Sequence, residues 1–165
     1  MPEPMAPILV LGLGNDILTD DAVGLHVAQA VRVRLAGDAR IDVKSTTEMG
    51  LSLLDELADR DAVVLVDSVQ TGREPPGHIH EVDAAALASV TSTVPHMLGV
   101  GETLALGKLL GLAMPRQVRV FAIEVADPFQ LGTEMTAAVV AAVTLAADRI
   151  AAAARELADG NARPG

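Results

Sequence analysis

Residues 8–24 read Ile8-Leu9-Val10-Leu11-Gly12-Leu13-Gly14-Asn15-Asp16-Ile17-Leu18-Thr19-Asp20-Asp21-Ala22-Val23-Gly24, and this stretch decides the fold. The apolar run Ile8–Leu13 has the continuous hydrophobicity of a strand buried on both faces. Two glycines interrupt its end, and the adjacent acids Asp20 and Asp21 open a helical pattern that continues to Leu35 through Val23, Val27, Ala30 and Val31. A phosphate-binding loop would offer free N–H groups with basic residues nearby. This loop offers Asp16, Asp20 and Asp21, which points to a cation instead.

The same alternation continues along the chain. Arg40–Ser45 reads as a second strand and Gly50–Ala58 as a helix carrying Leu51, Leu53, Leu54 and Leu57. Ala62–Val66 is a third, fully apolar strand with Asp67 at its carboxyl end. A turn-rich connection over Gly72–Gly77 leads to a half-exposed strand, His78–Val82. A helix over Leu98–Leu112, a strand over Val118–Glu124 and a long helix over Met135–Leu157 complete the pattern. Strand and helix alternating along most of the chain predict an α/β fold, a three-layer sandwich with a mainly parallel sheet flanked by helices on both faces. Residues 1–165 are expected to form one domain, with 1–7 and 159–165 flexible at its ends. Ligands in such folds gather beyond the carboxyl ends of the strands, so the loops after Leu13, Val66 and Ile123 are the ones to search.

Composition removes several function classes. There are 12 Lys and Arg against 22 Asp and Glu, a formal charge of −10, which disfavours a nucleic-acid partner. The absence of cysteine excludes disulfides, thiolate metal sites and a cysteine nucleophile, and fits a cytoplasmic protein. With Phe121 and Phe129 the only aromatic residues, the core must be built from Val, Leu, Ile and Ala. The N-terminal residues, with Pro2, Pro4 and Pro7 and no basic stretch, do not read as a signal peptide. The Ala-rich final helix is broken by Asp148, Arg149, Arg155 and Glu156, so no membrane span is expected.

Each candidate side chain also has an ordinary explanation. Gly12-Leu13-Gly14 begins a dinucleotide fingerprint, but Ile17 stands at its third glycine position and no Lys-Ser/Thr pair follows for a P-loop. Asp20 and Asp21 suit a helix start, as an N-cap and as an acid favourable to the dipole. Asp67 would serve to cap a turn. His96 follows Pro95 just before a helix, where many histidines do nothing special. Read together, Asp21, Asp67 and His96 offer two carboxylates and one imidazole, a set suited to nickel, zinc or manganese with coordination positions left open. A rival pair, His78 and His80, lies on one strand face with no acid or third ligand evident in the sequence, and reads as solvent-facing on an edge strand. His26 reads as a surface residue. A Ser68–His96–Asp triad lacks the Gly-x-Ser-x-Gly elbow. A phospho-acceptor receiver domain would place its acid pair directly after the first strand and carry a late Lys-Pro, and this chain does neither.

The combination Gly12-x-Gly14-Asn15 with Asp20-Asp21 and Gly24, then Val66-Asp67 with Pro76-Gly77, then Pro95-His96 with Gly99, resembles the signatures of the hydrogenase maturation endopeptidases, in their order. The resemblance spans about residues 8–147. It implies a protease that removes the C-terminal extension of the nickel–iron hydrogenase large-subunit precursor after nickel insertion. It also implies that Asp21, Asp67 and His96 are the catalytic and metal-binding positions, with nickel supplied by the loaded precursor and zinc or another divalent ion able to substitute in a crystal. The Asp-Gly-Gly-Thr frequent in that family after the second strand is replaced here by Lys44-Ser45-Thr46-Thr47-Glu48-Met49-Gly50, and Val94 stands where a serine is frequent. A non-catalytic metal- or peptide-binding module of the same fold is the alternative.

Overall fold

The computed structural model describes residues 4–15, 17, 19–48, 50–83, 97–126, 131 and 135–161. In chain order its elements are β1 (Ile8–Leu13), a single 3₁₀ turn (Asp20–Ala22), α1 (Val23–Arg34), β2 (Ile41–Thr46), α2 (Leu51–Leu57), β3 (Ala62–Val69), β4 (Ile79–Asp83), α3 (Met97–Leu109), β5 (Gln117–Glu124) and α4 (Ala137–Gly160). The strands form one sheet in the order β2-β1-β3-β5-β4, parallel except for β4, which pairs antiparallel with β5 at the edge. This is the mainly parallel, three-layer α/β arrangement expected from the sequence.

Both faces of the sheet are covered, which is why β1 and β3 are buried along their whole length. One face, through Ile8, Val10, Val64, Val66, Phe121 and Ile123, packs against α1 and α4. The other, through Leu9, Leu11, Leu13, Val63, Leu65 and Val120, packs against α2 and α3. Large aromatics are nearly absent, so tight packing falls to small side chains. Ala142, Ala146, Ala147, Ala151, Ala153, Ala154 and Ala158 form the buried stripe of α4. By length and composition α4 could cross a membrane, yet this stripe and Ile150 are buried in the core against α1 and the sheet.

The strand order reverses at the centre. β1 connects through α1 to β2 on one side, whereas β3 leads toward β4 and β5 on the other, so the carboxyl ends of β1 and β3 flank the topological switch point. Three glycines let the chain close tightly there. A Cβ on Gly12 would lie 2.3 Å from the Gly24 carbonyl oxygen, and one on Gly14 would lie 2.4 Å from that of Asp21. A Cβ on Gly24 would lie 2.1 Å from the Leu13 oxygen and 2.7 Å from the Val66 oxygen. The first turn of α1 therefore sits directly on the backbone of β1 and β3. The Gly-x-Gly motif serves helix-on-strand packing rather than phosphate binding.

Several boundaries differ from the sequence reading for identifiable reasons. β3 continues past Val66 to Val69 because it keeps pairing with β5, as far as Val69 opposite Glu124, after its pairing with β1 has ended at Gly12–Val66. The expected flexible ends are partly anchored. Ala6 is buried and its carbonyl accepts from the Arg60 guanidinium at 2.7 Å. α4 runs on to Gly160, held by buried Leu157 and Ala158 and by the Arg40–Asp159 ion pair at 2.8 Å.

Gly24→Ala should cost about 1–3 kcal/mol, because the new methyl meets backbone atoms that cannot rotate away. For a chain of this size that is a fall of roughly 2–12 °C in melting temperature, measurable by circular dichroism. Gly101→Ala, a helical position with nothing within 4 Å of the new Cβ, should be neutral or stabilising by up to about 1 kcal/mol.

Candidate functional site

The two acids singled out in the sequence share a hydrogen-bond partner, Ser68, at the switch point. Asp21 lies in the 3₁₀ turn between β1 and α1 and is buried, 4% exposed, while Asp67 lies near the end of β3 with no exposure at all. Ser68 joins them. Its hydroxyl donates to Asp21 Oδ1 at 2.5 Å, and its backbone N–H donates to Asp67 Oδ1 at 2.8 Å. Strand alternation explains how one dipeptide serves both acids. Asp67 has the parity of Val63, Leu65 and Val69 and belongs to the face covered by α2 and α3, whereas Ser68 has the parity of Val64 and Val66 and belongs to the α1 face.

Asp20 behaves differently from its neighbour. Instead of capping its own helix, its carboxylate accepts from the Thr136 N–H at 2.8 Å and the Thr136 hydroxyl at 3.0 Å. Thr136 is the N-cap residue of α4, so Asp20 ties the start of that helix to the loop bearing Asp21. The expectation that Asp20 is a local N-cap is corrected: the residue before the 3₁₀ turn, Thr19, makes no side-chain capping bond either, and its buried hydroxyl has no hydrogen-bond partner among the described residues.

His96 and Asp16 lie outside the described residues. Met97, the first residue of α3, is placed by connectivity: α3 ends at Leu109, a short connection before β5 begins at Gln117. A helix of 13 residues spans about 20 Å, so α3 runs back toward the carboxyl edge of the sheet. Its Val100 and Leu104 pack on the face to which Asp67 belongs. Among the described residues, no group of three or more His, Asp or Glu side chains is placed to hold a metal ion.

The rival histidines are better partnered than the sequence suggested. β4 is indeed an edge strand, and His78 is largely exposed with Glu74 3.7 Å away. His80 is not simply solvent-facing. Its side chain is 25% exposed and its Nε2 lies 3.0 Å from Oε1 of Glu124, itself buried. The absence of an adjacent acid is thus corrected, since Glu124 is distant in sequence but next to this face across the β4–β5 pair. The two rings meet edge to face at 4.7 Å. His26 is exposed on α1, as expected.

Glu124 is the buried carboxylate that sequence reasoning missed; it ends an apolar strand just as Asp67 nearly does, which was the available signal. It accepts from the Thr71 hydroxyl, from the Thr71 N–H at 2.7 Å and from the Gly72 N–H at 3.4 Å, besides contacting His80. Burial alone would raise its pKa, but the Thr71 donors, His80 and Gly72 outweigh it and hold the carboxyl below its ordinary 4.5. Glu124 thereby clamps the chain that leaves β3 just beyond Asp67.

A serine-hydrolase arrangement is not what the geometry supplies. Ser68 is fully buried and its hydroxyl is committed to Asp21.

Comparison with known proteins matches the family model described as hydrogenase maturation protease over residues 25–153. The chain belongs to the hydrogenase maturation protease family. It is 27% identical over 151 residues to the hydrogenase 2 maturation protease of Escherichia coli, covering 90% of this chain and 91% of that one. Among solved structures, it is similar to the E. coli hydrogenase maturating endopeptidase HybD, with a TM-score of 0.76 and 28% identity over 92% of this chain and 93% of that chain. An E. coli endopeptidase solved in solution gives a TM-score of 0.75 at 25% identity, with 92% and 93% covered. The protein is therefore a protease of hydrogenase maturation, and the sequence resemblance to that family is borne out.

A Glu124 carboxyl held below 4.5 favours the folded state fully above about pH 4.5, and its contribution fades as pH falls through the lower folded value. The stability difference between the wild type and Glu124→Gln, measured by urea denaturation, should therefore be constant near neutrality and shrink as the pH is taken below about 4.5.

Proposed function

We propose that the protein is a cytoplasmic endopeptidase that removes the C-terminal extension of a nickel–iron hydrogenase large-subunit precursor once nickel has been inserted. Asp21, Asp67 and His96 are the residues assigned to meet that nickel, which arrives with the substrate. The single observation that carries this reading is the pair of buried carboxylates, Asp21 and Asp67, brought to one serine at the switch point. Charge removed from water is expensive unless it is paired or coordinates a metal. Two acids and an imidazole suit a borderline divalent ion.

Gating follows from the donor set. A precursor without nickel presents no ion for the acids to engage, so only the loaded subunit is held in register for cleavage. An ion shared by enzyme and substrate would polarise the scissile carbonyl or activate a water. One of the two carboxylates would then accept the proton of that water. The precursor is a protein, and the chain is acidic overall, so neither a nucleic acid nor a membrane is required as a partner.

Asp67→Ala and His96→Ala should each lower processing by at least about a hundredfold. The double variant His78→Ala/His80→Ala should stay within about threefold of the wild type, since a partly exposed pair on the edge strand is not needed. The readout is the mass of the large subunit after incubation with nickel-loaded precursor. Nickel-free precursor should remain uncut under the same conditions. Efficient cleavage of nickel-free precursor in the presence of a strong chelator would exclude nickel gating, and loss of activity in the double histidine variant would move the site to β4.

A further inference from the structure

The site proposed above needs Asp21 in one rotamer. A carboxylate on a single 3₁₀ turn has two χ angles to settle, and a ligand displaced by an ångström loses much of its worth. Ser68 is built to fix it. The residue is fully buried, its hydroxyl oxygen lies 2.5 Å from Asp21 Oδ1, and its N–H meets Asp67 Oδ1 at 2.8 Å. Such a donor on Oδ1 limits how the Asp21 carboxylate can turn, while β3 on either side holds Ser68 itself.

We propose that Ser68 is a positioning residue of the protease site, orienting Asp21 through its hydroxyl and Asp67 through its N–H so that both carboxylates are presented to the substrate's nickel. This rests on the reading of Asp21 and Asp67 as the nickel-facing acids. The arrangement has the logic of outer-shell partners at metal sites, whose removal costs about 10–100-fold in affinity or activity. The hydroxyl is the replaceable part of the device, because any residue except proline at position 68 retains the N–H to Asp67. The Ser68 contribution should therefore act through Asp21 alone.

The experiment is a double-mutant cycle on the full chain with Ser68→Ala, Asp21→Asn and the two combined, measuring the dissociation constant for nickel-loaded precursor alongside cleavage and melting temperature. Ser68→Ala should weaken binding of the loaded precursor about 10–100-fold and lower cleavage to match, while leaving its weak binding to nickel-free precursor unchanged. In the Asp21→Asn background the same change should have no further effect, because the oriented ligand is already gone. Ser68→Cys, which keeps a weaker donor, should recover part of the loss. Wild-type binding by Ser68→Ala, or losses that simply multiply in the double variant, would overturn the positioning role while leaving the site in place. If Asp21→Asn itself binds and cleaves loaded precursor normally, the site assignment falls, and the role of Ser68 falls with it. A lowered melting temperature with equal losses toward loaded and nickel-free precursor would mean that Ser68 supports the fold and not the site.

Discussion

The close approach of α1 to the ends of β1 and β3 is the constraint from which the rest of the site follows. At Gly12 and Gly24 the helix and strands are separated by less than a methyl group requires. That contact fixes where the 3₁₀ turn must lie, and the turn fixes Asp21. Were α1 lifted by the thickness of a side chain, the Asp21 carboxylate would leave the Ser68 hydroxyl, since a hydrogen bond of 2.5 Å does not survive such a displacement. The glycines that look like a nucleotide motif are thus the means by which a buried acid is delivered to the switch point.

The acidic pair divides two tasks between neighbours. Asp20 accepts from Thr136 and fastens the start of α4, and Asp21 accepts from Ser68 at the end of β3. Burying both is costly, and the cost is offset by donors arranged around them. One consequence is mechanical. α1, α4 and β3 are joined at this corner, so the loop after β1 cannot shift without straining a helix terminus on one side and the strand carrying Asp67 on the other. Glu124 gives the opposite side of Asp67 a similar anchor by gathering the Thr71 and Gly72 donors where the chain leaves β3.

Much of this was legible in the sequence, and the legible part has a common physical basis. Continuous apolar runs identified β1 and β3 because a parallel sheet covered on both faces is built mainly from apolar residues. The end of β3 was misread because polar Asp67 and Ser68 look like a strand's exit, whereas both are buried and remain paired with β5. Asp20 was misread as a local cap because its partner, Thr136, is at the far end of the chain. His80 looked unaccompanied for the same reason: Glu124 comes beside it only through the antiparallel pairing of β4 with β5. Local pattern announces elements; the contacts that give His80 and Asp20 their roles span 44 and 116 positions.

Strand parity explains how a single dipeptide serves both layers of the protein. Asp67 and Ser68, adjacent in sequence, belong to opposite faces of β3, the first to the α2 and α3 side and the second to the α1 side. Carboxylates from both faces can come together only where the sheet between them has ended. β1 stops pairing with β3 at Gly12–Val66, one residue before Asp67, and so opens that gap. An insertion of one residue in β3 before Asp67 would exchange the two side chains, turning the serine toward α3 and the acid into the α1 core. The register of β3 against β1 is therefore as much a part of the site as the acids themselves.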